Sequence, residues 1–288
     1  MRTLFRLLAR LPLWLLHALG AALGWLTYWA SPTYRRRFND NARQAGVSPR
    51  NARPAIAHAG RMVLELPFLW LRPADKVIEP RLNWEDDELL LLALAQRRGV
   101  VLLTPHMGSF EVTAQGYAER FGPEFGPITV LFRPARKAIV RKLMLGARER
   151  PGLATAPATL AGVRQMIRAL RRGEAVGLLP DQVPPESMGL WVPFFGKPAY
   201  TMTLAARLVQ QTGAVPMVAW GERLPGGAGY TVRVSPLPEP LPEHDPRQAE
   251  SAAVVNRAME HVIRQCPQQY LWGYNRYKTP RSAAPPAN

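Results

Sequence analysis

The chain has 288 residues, enough to bury a substantial core as one large domain or two small ones. Its single cysteine, Cys266, excludes an internal disulfide framework and suits a cytosolic or cytosol-facing protein. The formal net charge of +16 calls for an anionic partner, whether nucleic acid, an acidic protein, phosphate groups or a membrane surface. That charge is concentrated, since residues 133–172 hold eleven Lys/Arg against one acidic residue, Glu149.

Residues 11–30 read LPLWLLHALGAALGWLTYWA, with no Asp, Glu, Lys or Arg and a single histidine, His17. Twenty such residues match the thickness of a hydrocarbon core as a helix, and Trp14, Trp25, Tyr28 and Trp29 fit interfacial anchors. The expectation is an uncleaved N-terminal membrane-anchor helix over residues 1–32. A cleaved signal peptide fits less well, because Tyr28 stands where a small residue should precede Ala30. A helix lying in the membrane interface and a buried helix are the other readings of this segment. Arg2, Arg6 and Arg10 before it balance Arg35, Arg36 and Arg37 after it, so charge does not set its orientation.

Residues 33–281 form the main domain, with 282–288 as a disordered tail. Ser31-Pro32 breaks the helix, 34–45 reads as a basic helix, and 49–71 carries apolar residues at helical spacing (Ile56, Met62, Val63, Leu66), ended by Pro67 and Pro73. Residues 89–96 read as helix and 100–103 as a short apolar strand, with Gly99 between them. The pattern recurs in helix 160–170, Gly173 and strand 175–179, which runs into Pro180-Asp181-Gln182. Helix-then-strand alternation with uninterrupted apolar strands predicts an α/β fold, a mixed, mostly parallel sheet covered by helices on both faces. Helix 203–212, N-capped at Thr201, precedes strands 215–220 and 230–234, an antiparallel pair at one edge joined through Pro225-Gly226-Gly227. A proline-rich connector, 236–246, then leads to helix 248–264 and the aromatic run QQYLWGYNRYK.

The segment TPHMGSFEV, 104–112, places His106 just past the carboxyl end of strand 100–103, the edge where open α/β sheets put their ligands. Gly108 allows the backbone to come close to a substrate, and Ser109 fits the N-cap of a helix containing Glu111. With His106 in a loop, the chain can fold back so that Glu111 accepts from one imidazole nitrogen and the other faces solvent, as a general base requires. A surface histidine beside a helix-capping acid is the alternative. His17, His58, His244 and His261 lie in unrelated segments, so no metal site is expected. There is no G-x-S-x-G elbow, P-loop or G-x-G-x-x-G fingerprint. What remains is a base acting on a substrate hydroxyl, with an activated acyl group as electrophile and no cofactor.

Here HMGSFE resembles the H-x4-D/E motif of acyltransferases. Its setting resembles the late acyltransferases of lipid A biosynthesis, the lauroyl/myristoyl transferase family of Gram-negative bacteria. The N-terminal apolar segment, VLFRPARKAIVRKLM, LLPDQ followed by VPFFGKPAYT, and PQQYLWGYNRYK carry the likeness over almost the whole chain. The family's first block often reads H-x-G-N-W-E, where this chain has Ser109 and Phe110.

The resemblance implies a glycerolipid-acyltransferase-like fold at the cytoplasmic face of the bacterial inner membrane. Its implied reaction moves an acyl chain from an acyl carrier protein thioester to a hydroxyl of a phosphorylated lipid A precursor. His106 would be the base, Glu111 its orienter and Arg133 a ligand for acceptor phosphate or the oxyanion. Asp181, Gln182, Gly108 and Ser109 would bind substrate, and Phe194 and Phe195 would line an acyl channel. Tyr270, Trp272 and Arg276 match the family's closing block. Phosphorylated acceptor, acidic carrier protein and anionic membrane would together account for the basic charge. A lysophospholipid or other glycolipid acceptor is the nearest alternative. A basic membrane- or nucleic-acid-binding protein without catalysis is the other class, but the aromatics do not interleave with the basic run as single-strand binding requires.

Overall fold

A computed structural model describes residues 2–73, 76–78, 81–132 and 150–280, with side chains from residue 5. Arg133 and most of the basic run before residue 150 lie outside the described residues.

The N-terminal quarter is helical: α1 (Arg2–Leu8), α2 (Leu13–Ala30), α3 (Pro32–Gln44), α4 (Pro49–Ala52) and α5 (Pro54–Trp70). Ser31 caps α3 by accepting the Tyr34 N–H, and Pro32 occupies the first turn, where a missing N–H costs nothing. Pro67 lies inside α5 rather than ending it.

No helix among the described residues is long and apolar enough to cross a membrane, which corrects the expectation of a spanning anchor. At 18 residues α2 is about 27 Å long, and it lies against α5 along one stripe: Leu13, Leu16, His17, Gly20 and Gly24 are buried. Glycine is required at this crossing. A Cβ on Gly60 would come within 1.9 Å of the Gly20 carbonyl oxygen, and one on Gly24 within 2.1 Å of that of Ile56. The opposite side of α2 exposes Trp14, Leu19, Leu23, Leu26 and Trp29.

The body that follows runs β1 (Leu82–Glu85), α6 (Asp87–Ala95), β2 (Val100–Leu103), α7 (Phe110–Arg120), α8 (Gly122–Phe125), β3 (Ile128–Phe132), β4 (Leu153–Pro157), α9 (Leu160–Arg171) and β5 (Ala175–Leu178). It continues with β6 (Gly189–Phe194), β7 (Lys197–Met202), α10 (Leu204–Thr212), β8 (Val215–Arg223), β9 (Tyr230–Pro236) and α11 (Ala249–Gln265). Among the described residues, seven strands form one sheet in the order β1-β9-β8-β2-β5-β3-β4, all neighbours parallel except β8 and β9. The expected α/β class and mostly parallel sheet are therefore present. The β8–β9 hairpin is not at the edge, because β1 pairs outside β9.

Alternation along the central strands divides the core. Val101, Leu103, Val176 and Leu178 join the cluster on one face, while Val100, Leu102 and Ala175 join that on the other. Burial on both faces explains why these strands read as unbroken apolar runs. Residues 189–202 fold as a separate antiparallel hairpin, β6–β7, against α11. Thr201 belongs to β7, so α10 starts after Thr203 rather than at a Thr201 cap.

Candidate active site

Strands β2 and β5 are parallel neighbours in which Leu103 is the register partner of Leu178. Three residues beyond each partner stand His106 and Asp181, so the sheet delivers both to one place at its carboxyl edge. His106 Nδ1 lies 2.7 Å from Asp181 Oδ1, and the His106 backbone N–H donates to Asp181 Oδ2 at 2.9 Å. Asp181 is buried, and the His106 side chain keeps 19% of its surface exposed.

Burial by itself would raise the Asp181 carboxyl, but the His106 ring, its hydrogen bonds and the Arg276 charge outweigh it and hold the group below its ordinary range. An ionised carboxylate only accepts, so Nδ1 carries the hydrogen, and the free-base form of the ring has its lone pair at Nε2. The carboxylate on Nδ1 is thus Asp181, a partner for the ring that the strand-end spacing of His106 and Glu111 did not reveal. Glu111 sits in the first turn of α7, half-buried. Strand register brings that aspartate to the ring from 75 positions along the chain.

The His106 loop is locked by its own backbone. The His106 carbonyl accepts from Leu271 N–H at 3.2 Å, Gly108 N–H donates to the Gln269 carbonyl at 3.0 Å, and Ser109 N–H donates to the Gly221 carbonyl at 2.8 Å. Gly108 has φ +54°, and a Cβ there would lie 2.0 Å from the Gly221 carbonyl oxygen. The close approach that the structure shows at Gly108 is to strand β8. Gly108 and Ser109 are buried and their N–H groups are taken within the protein. Ser109 occupies the N-cap position of α7 without a side-chain cap bond.

The C-terminal aromatic run closes the site from the side. Tyr270 pairs with Met107, and burial, with the Asp181 charge adding to it, pushes its hydroxyl well above the ordinary tyrosine range. Arg276, also buried, donates to the Tyr200 carbonyl at 2.6 Å and to Thr201 Oγ1 at 2.7 Å. Phe194 and Phe195 are core residues packed edge to face at 4.8 Å, with Arg276 over the Phe194 ring. The void they line with Tyr270 and Trp272 is about 10 Å³, the space of one water rather than an acyl chain. Gln182 follows Asp181 half-buried. Cys266 is buried, and that burial pushes its thiol up to about 12.

A family model of bacterial lipid A biosynthesis acyltransferases matches residues 3–279. The chain belongs to that family. It is 31% identical over 194 residues to the lipid A biosynthesis lauroyltransferase of Escherichia coli K12, covering 66% of this chain and 60% of that protein. To the lipid A biosynthesis palmitoleoyltransferase of the same organism it is 27% identical over 223 residues, 76% of this chain and 69% of that one. A lipid A biosynthesis acyltransferase of Haemophilus influenzae is 24% identical over 180 residues, covering 62% and 54%. The match thus spans about three fifths of the lauroyltransferase's length.

Sequence reasoning missed Glu65, Arg223 and Gln269, which surround the site loop from behind. The available signal was a glutamate within apolar helix α5 and an arginine closing apolar strand β8, both positions where burial forces a charge to find a partner.

Proposed function

We propose that this protein is a membrane-associated O-acyltransferase that transfers a fatty acyl chain from acyl carrier protein to a hydroxyl of a phosphorylated lipid A precursor. The observation that carries the reading is the His106–Asp181 pair at the carboxyl edge of the sheet, in a chain of this family. His106 Nε2 takes the proton of the acceptor hydroxyl as its oxygen bonds to the thioester carbon. The resulting imidazolium is stabilised by Asp181, and it returns the proton to the thiolate as the carbon–sulfur bond breaks. Asp181 is the orienter on Nδ1, and Glu111 in the first turn of α7 remains the acid that the family resemblance implies beside His106. The acyl thioester is a co-substrate, and the reaction needs no cofactor.

The backbone N–H groups of His106, Gly108 and Ser109 are all engaged within the protein, so they are not the donors for the oxyanion. That task, or the binding of acceptor phosphate, falls to a side chain such as Arg133. Arg164 and Arg168 are exposed on α9, whose N-terminus opens at the same sheet edge, and they offer cationic contacts to an acidic carrier protein.

Membrane association is supported by the exposed apolar side of α2 with Arg10, Arg36 and Arg37 exposed near its two ends. With its other side packed on α5, α2 lies in the plane of the bilayer interface, arginines on lipid phosphates, at the cytoplasmic face of the inner membrane. The test is acyl transfer by purified protein in detergent, from loaded acyl carrier protein to a phosphorylated lipid A precursor, read as a mass gain of one acyl group. Transfer to lysophospholipid but not to the lipid A precursor would overturn the acceptor. No transfer to either would overturn the reaction.

A further inference from the structure

Behind the His106 loop lies a group of buried charges that the proposed chemistry does not use. Arg223 ends β8 and Glu65 lies in α5, each with a side chain 1% exposed. Their ion pair is two-pronged: Arg223 Nη2 to Glu65 Oε1 at 2.7 Å and Nε to Oε2 at 2.8 Å. Glu65 Oε2 also meets His17 Nε2 of α2 at 3.1 Å and accepts from the Tyr230 hydroxyl at 3.2 Å. Burial would raise the Glu65 carboxyl, and the Arg223 charge and hydrogen bonds overcome that and hold it low, at about 2.

A buried ion pair is a weak source of stability, because desolvation offsets most of its attraction. This one makes a further bond that points to another use. Arg223 Nη2 donates to the Gly108 carbonyl at 2.8 Å, two residues from His106. The Gln269 side chain clasps the Arg223 main chain in both directions at 3.0 Å, while the Gln269 carbonyl holds the Gly108 N–H. Both sides of the left-handed Gly108 residue are thus fixed, one by a guanidinium whose own orientation depends on Glu65.

We propose that Arg223, Glu65 and His17 form a positioning network for His106. Arg223 fixes the Gly108 peptide, Glu65 fixes the guanidinium, and His17 ties the carboxylate to α2. The N-terminal helix is then part of the catalytic apparatus rather than a detachable anchor. The inference rests on His106 being the base. Lysine at 223 keeps the charge opposite Glu65, but its single ammonium lacks the planar fork that reaches carboxylate and carbonyl together.

The experiment compares full-length Arg223→Lys, the apolar pair Glu65→Leu/Arg223→Met, His17→Leu, His17→Gln and His106→Ala in the acyl-transfer assay, each with a melting curve. Arg223→Lys and the apolar pair are expected to fold and to lose about 10- to 100-fold in kcat, with KM for the lipid within about threefold. His17→Gln, whose amide can still donate to Glu65, is expected to retain the kcat that His17→Leu loses. A folded Arg223→Lys or apolar-pair protein with wild-type kcat, or a loss confined to KM, overturns the proposal. If the position 65 and 223 variants do not fold, equal kcat for the two His17 variants overturns it. Full activity in His106→Ala would instead remove the general-base reading, a result distinguishable from an inactive His106→Ala beside an unaffected Arg223→Lys.

Discussion

Asp181 grips His106 twice, through the ring at Nδ1 and through the backbone N–H, at 2.7 and 2.9 Å. One carboxylate therefore fixes the tautomer and the position of the residue that bears it. Two parallel strands ending at the same register supply the arrangement without a contribution from local sequence spacing.

His106→Ala is expected to lower kcat by about 10²- to 10⁴-fold, the worth of a positioned general base. Asp181→Asn should lose about as much, because an amide can turn its NH₂ toward Nδ1 and trap the wrong tautomer. Steady-state kinetics of the two, with Glu111→Gln in parallel, measures the carboxylates separately. Full activity in Asp181→Asn would return the orienting role to Glu111.

Gly108→Ala is expected to disturb the loop severely. Its Cβ would press on the Gly221 carbonyl, and φ +54° already disfavours any side chain. A loss of about 1–3 kcal/mol for the strained backbone is the expected scale, read by denaturant unfolding, with activity falling further than stability. Gly46 has a similar φ of +71° but nothing near its would-be Cβ, so Gly46→Ala provides the control for conformational strain alone.

Acid should destabilise the protein in two stages. His58 is pushed down to about 3 from an ordinary 6.5, first by burial and then by the Arg223 and Arg61 charges, against a smaller opposing pull from Glu65. The unfolded chain binds that proton below about pH 6.5 and the folded chain does not until about 3, so stability falls as pH drops through this window. Glu65, held at about 2 against an ordinary 4.5, adds a second loss as pH falls below about 4.5. Each group contributes a slope of up to about 1.4 kcal/mol per pH unit. Melting curves from pH 8 to 4 should show the decline, and His58→Gln should flatten its upper part.

Cys266 should resist thiol reagents in the native protein, because it is buried and its thiol sits near 12. Labelling with a maleimide at neutral pH should proceed only after denaturant is added. Fast labelling without unfolding would show that the end of α11 opens locally.

Leu19, Leu23 and Leu26 on the exposed side of α2 should govern membrane binding. Replacing all three by serine is expected to reduce co-flotation with vesicles containing anionic lipid while leaving the melting temperature within a few degrees, since none is in the core. Unchanged flotation would remove the interfacial role of this helix.

Much of this was legible in the sequence for a specific reason. The strands 100–103 and 175–178 are buried on both faces and so read as continuous apolar runs, and Gly99 and Gly173 mark the turns before them. The weaker signals failed where a segment's own pattern was ambiguous. Strand β1 is four residues long with alternating exposure, and β6–β7 contains two prolines, so neither stood out from loop. The apolar segment 11–30 suggested a span because composition cannot distinguish a helix facing lipid all round from one whose glycines seat it against a neighbour.

By itself the sequence determined the α/β class, the strand-end position of His106, the family and the concentration of positive charge, all properties of local pattern and composition. Only the tertiary structure decided that Asp181 meets His106, what Gly108 is close to, and that α2 packs on α5 through a buried His17–Glu65 contact. Those depend on strand register and helix packing, which join residues 75 or 48 positions apart and leave no trace in the spacing between neighbours along the chain.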